Sequence, residues 1–403
     1  MRKNFGNKNW MFPMPVLMGE DGTPDVTNAS WGGITLEDET TICIDTSHKA
    51  WANIAARRAL AVAAAVLTMA LMTDSAEASD IKGCDSEAAT NTLLVKADED
   101  RRPIGVPEDI SGIAMCKDGS FWAVCDSRGV LCRLAVDIDP DNGKIKKCSL
   151  LETRHVSGGN DMEGLAYDPL RDSLWICDEV GPRIYEYSFI EDSVGCEIDL
   201  PEHLKKCIRN RSLEALEITP DGLAMFACNE KAIPGDVIHG VKDIAPVRLS
   251  KFVRSSANEP WRLSAECYYL PEQPNEKARK ADIHNGVASV CVDSKGRIFI
   301  LERESDKTNG LRFRVRIFEV VFPSSSGQDD PSSLLPVSTK RLVYEEDTGT
   351  SMYEGMCFGP VLKNGGQTLV LVSDGDNKAM ESIMTLVFAD STHMESPRSA
   401  DQE

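Results

Sequence analysis

Three observations predict an all-β protein, a β-propeller. Five segments repeat one plan: two short apolar strands joined by a tight polar turn. Counted from Gly112, Gly164, Ala215, Gly286 and Gly355, the intervals are 52, 51, 71 and 69 residues, the scale of a four-stranded blade. No long amphipathic helix separates the strands, as a parallel sheet would require. The chain has 403 residues, 42% of them hydrophobic, which excludes a disordered or collagen-like protein. With 64 acidic against 44 basic residues its net charge is −20, so no nucleic acid is expected as a partner.

In chain order, the first feature is an export leader. Arg57 and Arg58 precede the uncharged run Ala59–Thr73, followed by Ala76-Glu77-Ala78, an Ala-x-Ala cleavage pattern. Residues 57–78 therefore read as a signal peptide, and the residues before them as an upstream extension of it. The mature chain is expected to begin near Ser79, in the periplasm or outside the cell. The apolar run is too short for a stable membrane span after cleavage, though an uncleaved leader would anchor the chain. Residues 79–390 are assigned to the propeller and 391–403 to a polar tail.

The repeats follow. The first opens at Ser111-Gly112, turns at Lys117-Asp118-Gly119 and returns as FWAVC to Asp126. The second opens at Glu163-Gly164 and returns as LWIC to Asp178; the third opens at Glu214-Ala215 and returns as AMFAC to Asn229 and Glu230. The fourth opens at Asn285-Gly286 and returns as IFIL to Glu302; the fifth opens at Glu354-Gly355 and returns as TLVLVS to Asp374. Strand-like residues 240–272, or strands from both termini, are expected to complete a sixth blade, and 323–336 reads as a surface loop.

In a hairpin the start of one strand lies beside the end of its partner. The opening Glu and the closing acid of each repeat should thus meet at one mouth of a central channel. This groups Glu163 with Asp178, Glu214 with Glu230 and Glu354 with Asp374, adds Glu302, and adds Asp161, two residues before Glu163 on the same strand face. So many carboxylates repel one another, and a hard divalent cation, most simply Ca²⁺, relieves that. Arg128, Arg183, Lys231, Arg303 and Lys378 follow the closing acids closely. Acids, metal and interleaved cations suit a small anionic or ester substrate. His284, beside the fourth opening residue, is the candidate general acid or base.

Of 13 cysteines most sit in apolar runs, as core residues; Cys84, Cys196 and Cys207 are the candidates for disulfides. There is no Gly-x-Ser-x-Gly elbow and no Walker loop.

Asp161-Met-Glu163-Gly164-Leu-Ala-Tyr-Asp168-Pro169, then Asp178-Glu179-Val-Gly181-Pro182, Asn210-Arg211-Ser-Leu-Glu214 and Tyr353-Glu354-Gly355 resemble the phytase-like propeller family known for an "esterase-like activity of phytase". The resemblance spans roughly residues 105–388. It implies a propeller, export, and hydrolysis of phosphoesters or esters with Ca²⁺ held by channel-mouth acids. On matching positions those acids are Asp161, Glu163, Asp178, Glu179, Glu214, Glu230 and Glu354, with Arg183 and Arg211 expected to hold the anionic group. Ser111 and Asn285 stand where other repeats have Glu. Two other readings use the same face: a non-catalytic, ligand- or partner-binding propeller with structural Ca²⁺, and a lactonase-type propeller with one central metal. A monomer is expected in each case.

Overall fold

The computed structural model describes residues 31–35, 41–45, 94–98, 102–104, 109–126, 129–159, 161–206, 211–237, 245–273, 283–308, 310–323, 335–374 and 381–388. The leader, Cys84, Cys207, Arg128, Lys378 and the 391–403 tail lie outside these. Strands β1 (Trp31–Thr35) and β2 (Thr41–Asp45) form a separate antiparallel hairpin.

The other strands make five antiparallel sheets, the blades. Blade one is β5 (Ile110–Met115), β6 (Phe121–Cys125), β7 (Val130–Ile138) and β8 (Ile145–His155). Blade two is β9 (Met162–Asp168), β10 (Ser173–Asp178), β11 (Arg183–Ser188) and β12 (Ser193–Glu197). Blade three is β13 (Leu213–Ile218), β14 (Ala224–Asn229), β15 (Val247–Val253) and β16 (Arg262–Tyr269). Blade four is β17 (Ile283–Val292), β18 (Ile298–Asp306), β19 (Arg312–Val321) and β20 (Thr339–Gly349). Blade five is β21 (Met352–Val361), β22 (Gln367–Asp374) and β23 (Ser382–Phe388), with N-terminal β3 (Leu94–Lys96) and β4 (Arg102–Pro103) on its outer edge.

Each blade's first strand touches the first strand of the next, and β21 returns to β5, so the circle closes at five blades. The expected sixth blade is absent for two visible reasons. Residues 247–269 are the outer half of blade three, and the N-terminal strands complete blade five. Each of the five junctions holds its own apolar core. Trp175 of blade two, for example, meets Trp261 of blade three edge-on at 6.1 Å.

Strand position explains strand composition. The second strands are covered on both faces, so β6 and β10 are buried throughout and read as unbroken apolar runs. The outer strands β8 and β20 are exposed or half-buried along most of their length. On the face opposite the ring's acidic mouth, Asp side chains cap the turns: Asp293 Oδ1 accepts from the backbone N–H of Lys295 at 2.9 Å and of Arg297 at 2.8 Å. A buried pair, Arg254 Nη2 to Asp168 Oδ1 at 2.7 Å, ties blade three to blade two.

The recurrence of Gly at the start of the repeats has a steric cause. A Cβ on Gly112 would lie 2.4 Å from the Glu163 carbonyl oxygen, one on Gly164 2.7 Å from the Leu216 nitrogen, and one on Gly355 2.5 Å from the Ser111 carbonyl oxygen. Successive inner strands cross there, backbone on backbone. At the third repeat Ala215 fits, packed in the core shared with Val287.

Candidate metal centre at the channel mouth

The pairing of first and second strands breaks near the start of the first strand in blades one, two, three and five and midway along it in blade four. Blade five has a second break between Phe358 and Val361. In blade three Leu213 faces Asn229 and Ala215 faces Cys228, leaving Glu214 as the extra residue of a bulge. In blade five Tyr353 faces Ser373 and Gly355 faces Val372, leaving Glu354. In blades one and two the extra residues are Ser111-Gly112 and Glu163-Gly164. In blade four they reduce to Ala288, between Val287 opposite Glu302 and Ser289 opposite Leu301. A bulge re-aims the side chain it carries, here toward the mouth. The fourth repeat's counterpart of Glu214 is therefore Ala288 and not Asn285.

The same register corrects the second set of acids. The residues paired just before the bulge are Cys125, Asp178, Asn229, Glu302 and Ser373, all buried inside the blades. The next residue of each strand reaches the mouth: Asp126, Glu179, Glu230, Arg303 and Asp374. Asp178 and Glu302 are thus not mouth acids. Asp178 Oδ1 accepts from the Tyr185 hydroxyl at 2.8 Å and Oδ2 from Arg183 Nε at 2.9 Å and Nη2 at 2.6 Å. Glu302 accepts from Tyr269 Oη at 2.6 Å, Lys340 Nζ at 2.8 Å, Asn285 Nδ2 at 2.6 Å and the Glu272 N–H at 2.9 Å. These bonds use both carboxylates structurally.

Ten ring positions result, two per blade. Their acids gather at blade junctions. Asp126, Asp161 and Glu163 at junction one–two place one carboxylate oxygen each within 4.8 Å of the others, and Glu179, Glu214 and Glu230 at junction two–three do the same. A repeated backbone clasp positions them: Asp126 N–H donates to the Asp109 carbonyl at 2.8 Å, Glu179 N–H to that of Asp161 at 2.9 Å, and Glu230 N–H to that of Ser212 at 2.7 Å. Asp109 and Asp161 adopt φ of 71° and 66°, a left-handed conformation that strains a non-glycine residue. Ser212 N–H also donates to Glu179 Oε1 at 3.0 Å.

The electrostatics follow from burial. Burial, then the Glu214, Asp126 and Glu179 charges, push Glu163 well above the carboxylate range. Burial and Glu230 likewise push Glu214 well up, against Arg303. Burial raises Glu179 to about 7. Glu230 is the exception: burial would raise it, but Arg303, Lys231 and Arg211 together hold it below its ordinary value. Arg211 Nη1 donates to both Glu230 oxygens, at 3.0 and 2.9 Å, and Lys231 Nζ lies 3.6 Å from Oε1. Arg303 Nη2 lies 3.6 Å from Glu214 and 3.7 Å from Glu230, while its Nη1 pairs with Glu354.

The donor set fits a hard cation: oxygens only, at separations a metal with 2.3–2.6 Å bonds can span. Of the residues expected at the site, Asp161, Glu163, Glu179, Glu214 and Glu230 come together in these clusters. Glu354 joins them through Arg303, and Asp374 ends β22 at its own ring position. Arg211 is at the site. Arg183 is not: its guanidinium is spent on Asp178, the Gly158 carbonyl and the Tyr185 ring, 4.5 Å away. His284 is exposed on β17 opposite Ser305, four residues before the bulge and so about 13 Å along the strand from Ala288. Asp126 and Arg303 complete the site. Both were visible as closing or neighbouring residues of the repeats, but residue type alone did not rank them.

A comparison with curated proteins gave no match. Among solved structures, the PQQ-bound aldose sugar dehydrogenase of Streptomyces coelicolor is 12% identical and aligns 74% of this chain with 98% of its own, at a TM-score of 0.37. A streptogramin B lyase is 12% identical over 75% of this chain and 100% of its own, at a TM-score of 0.32. XC5397, a gluconolactonase of Xanthomonas campestris, is 10% identical over 76% and 96%, at 0.31. The phytase-like family model, described as esterase-like activity of phytase, matches residues 108–377, two-thirds of the chain, and the protein belongs to that family.

Proposed function

We propose that the protein is an exported, monomeric, metal-dependent hydrolase that cleaves phosphoesters or esters at the acidic mouth. The observation that carries this is the pair of three-carboxylate clusters at adjacent junctions of blades one to three. Buried carboxylates at that density remain ionised together only beside a cation. Ca²⁺ is the first choice, because every donor is a carboxylate oxygen. Asp126, Asp161 and Glu163 would hold one ion, and Glu179, Glu214 and Glu230 another. Such an ion, when bound, supplies Lewis acidity and an acidified water. Arg211, half-exposed at Glu230, would fork onto the anionic group of the substrate, with Lys231 beside it as a point charge.

The test is a metal analysis of the purified full chain together with p-nitrophenyl phosphate and p-nitrophenyl ester hydrolysis, with and without chelator. Activity that chelator abolishes and Ca²⁺ restores is expected. Hydrolysis indifferent to chelator, or untouched by Glu214→Gln, would refute the reading.

A further inference from the structure

The ten ring positions hold seven carboxylates, at Asp126, Glu163, Glu179, Glu214, Glu230, Glu354 and Asp374. Blade four departs twice. It carries Ala288 where blades two, three and five carry Glu, and Arg303 where the other four blades carry an acid. The guanidinium does not stay within its own blade. It lies between Glu214 and Glu230 of blade three and Glu354 of blade five, with only 14% of the side chain exposed. Three buried carboxylates from two blades thus converge on one covalently tethered cation, and two of the three belong to the second cluster. Ala288 offers no acid of its own to compete for that cation.

We infer that Arg303 is the mouth's built-in counter-ion: it fills the place among Glu214, Glu230 and Glu354 that a divalent cation would otherwise take. It thereby confines metal to the junctions of blades one to three, and acts as a positioning residue for Glu214 and Glu230. Its catalytic consequence rests on the proposed function; its occupancy of a cation site does not. Methionine keeps much of the side chain's length without its charge, and lysine keeps the charge.

The experiment titrates chelator-stripped full-length protein with CaCl₂ by calorimetry, comparing wild type, Arg303→Met, Arg303→Lys and the double variant Arg303→Met with Glu354→Gln. Arg303→Met should bind one more Ca²⁺ per chain than wild type, Glu354→Gln should remove that extra ion, and Arg303→Lys should match wild type. A folded Arg303→Met with unchanged stoichiometry overturns the inference. If wild type binds no Ca²⁺ and Arg303→Met binds one, the inference stands and the metal-dependent reading falls. If wild type binds two and Arg303→Met also two, the reading stands and the inference falls. Should Arg303→Met not fold, Glu354→Gln alone decides: released from blade five, Arg303 should draw onto Glu214 and Glu230 and weaken Ca²⁺ binding at least threefold, and unchanged affinity overturns the inference.

Discussion

Blades one to three and blades four and five line the same mouth by the same backbone device, with opposite electrostatic outcomes. On the first arc, Asp126 meets Glu163 and Glu179 meets Glu214, acid against acid across each junction. On the second, the corresponding partners are Arg303 and Glu354, a ready-made ion pair. The bulge that aims these side chains belongs to the repeat, whereas their charge does not. A propeller can therefore keep one architecture and change, blade by blade, whether a junction demands a cation from solution.

The contrast can be broken most severely on the acidic arc. Glu214→Gln should lower activity roughly a hundredfold, the several kcal/mol a metal's charge stabilisation is worth, with little change in thermal stability once metal is absent. Glu302→Gln, one blade on but buried in structural hydrogen bonds, should do the reverse. It takes away one of Lys340's two carboxylate partners, with Glu272 remaining at 3.0 Å, costs about 1–3 kcal/mol measured by denaturant unfolding, and preserves turnover per folded molecule. Gly164→Ala should cost a similar amount, about 2–3 kcal/mol, because its Cβ meets backbone 2.7 Å away, whereas Ala215→Gly at the next junction should cost only about 1 kcal/mol.

A pH experiment sharpens the same contrast. Glu163, Glu214 and Glu179 bind protons more tightly folded than unfolded, the last with a folded value of about 7. Their contribution is fully present below the unfolded carboxylate value near 4.5 and is lost as pH rises through the folded one. With chelator present, the melting temperature should fall from pH 5 to pH 8, and saturating Ca²⁺ should flatten that slope. The smallest effect on turnover is expected at Arg183→Ala: within about threefold of wild type, with about 1–3 kcal/mol of stability lost as buried Asp178 gives up its cation and keeps the Tyr185 hydroxyl.

The repeat plan was legible because it rests on side chains. Apolar second strands, turn residues and close-packed glycines all leave marks in sequence, and they located the mouth and most of its acids. What sequence could not supply was the phase of the bulge, a property of backbone pairing. Asp178 and Glu179 are adjacent acids, and only the register tells which one leaves the blade. In the fourth repeat, Asn285-Gly286-Val287-Ala288 matches Glu163-Gly164-Leu165-Ala166 by residue type, yet the bulge falls three residues later. Blade number failed for a related reason: β3 and β4 are 3 and 2 residues long, too short to announce themselves.

Because β3 hydrogen-bonds to β23, the first and last strands of the five-bladed ring are neighbours in one sheet. The final blade therefore cannot be assembled until the last strand has been synthesised, and the chain stays an open arc until then. Clipping either extremity would strip blade five at its outer edge, beside the seam where β21 meets β5, before any residue of the mouth was touched.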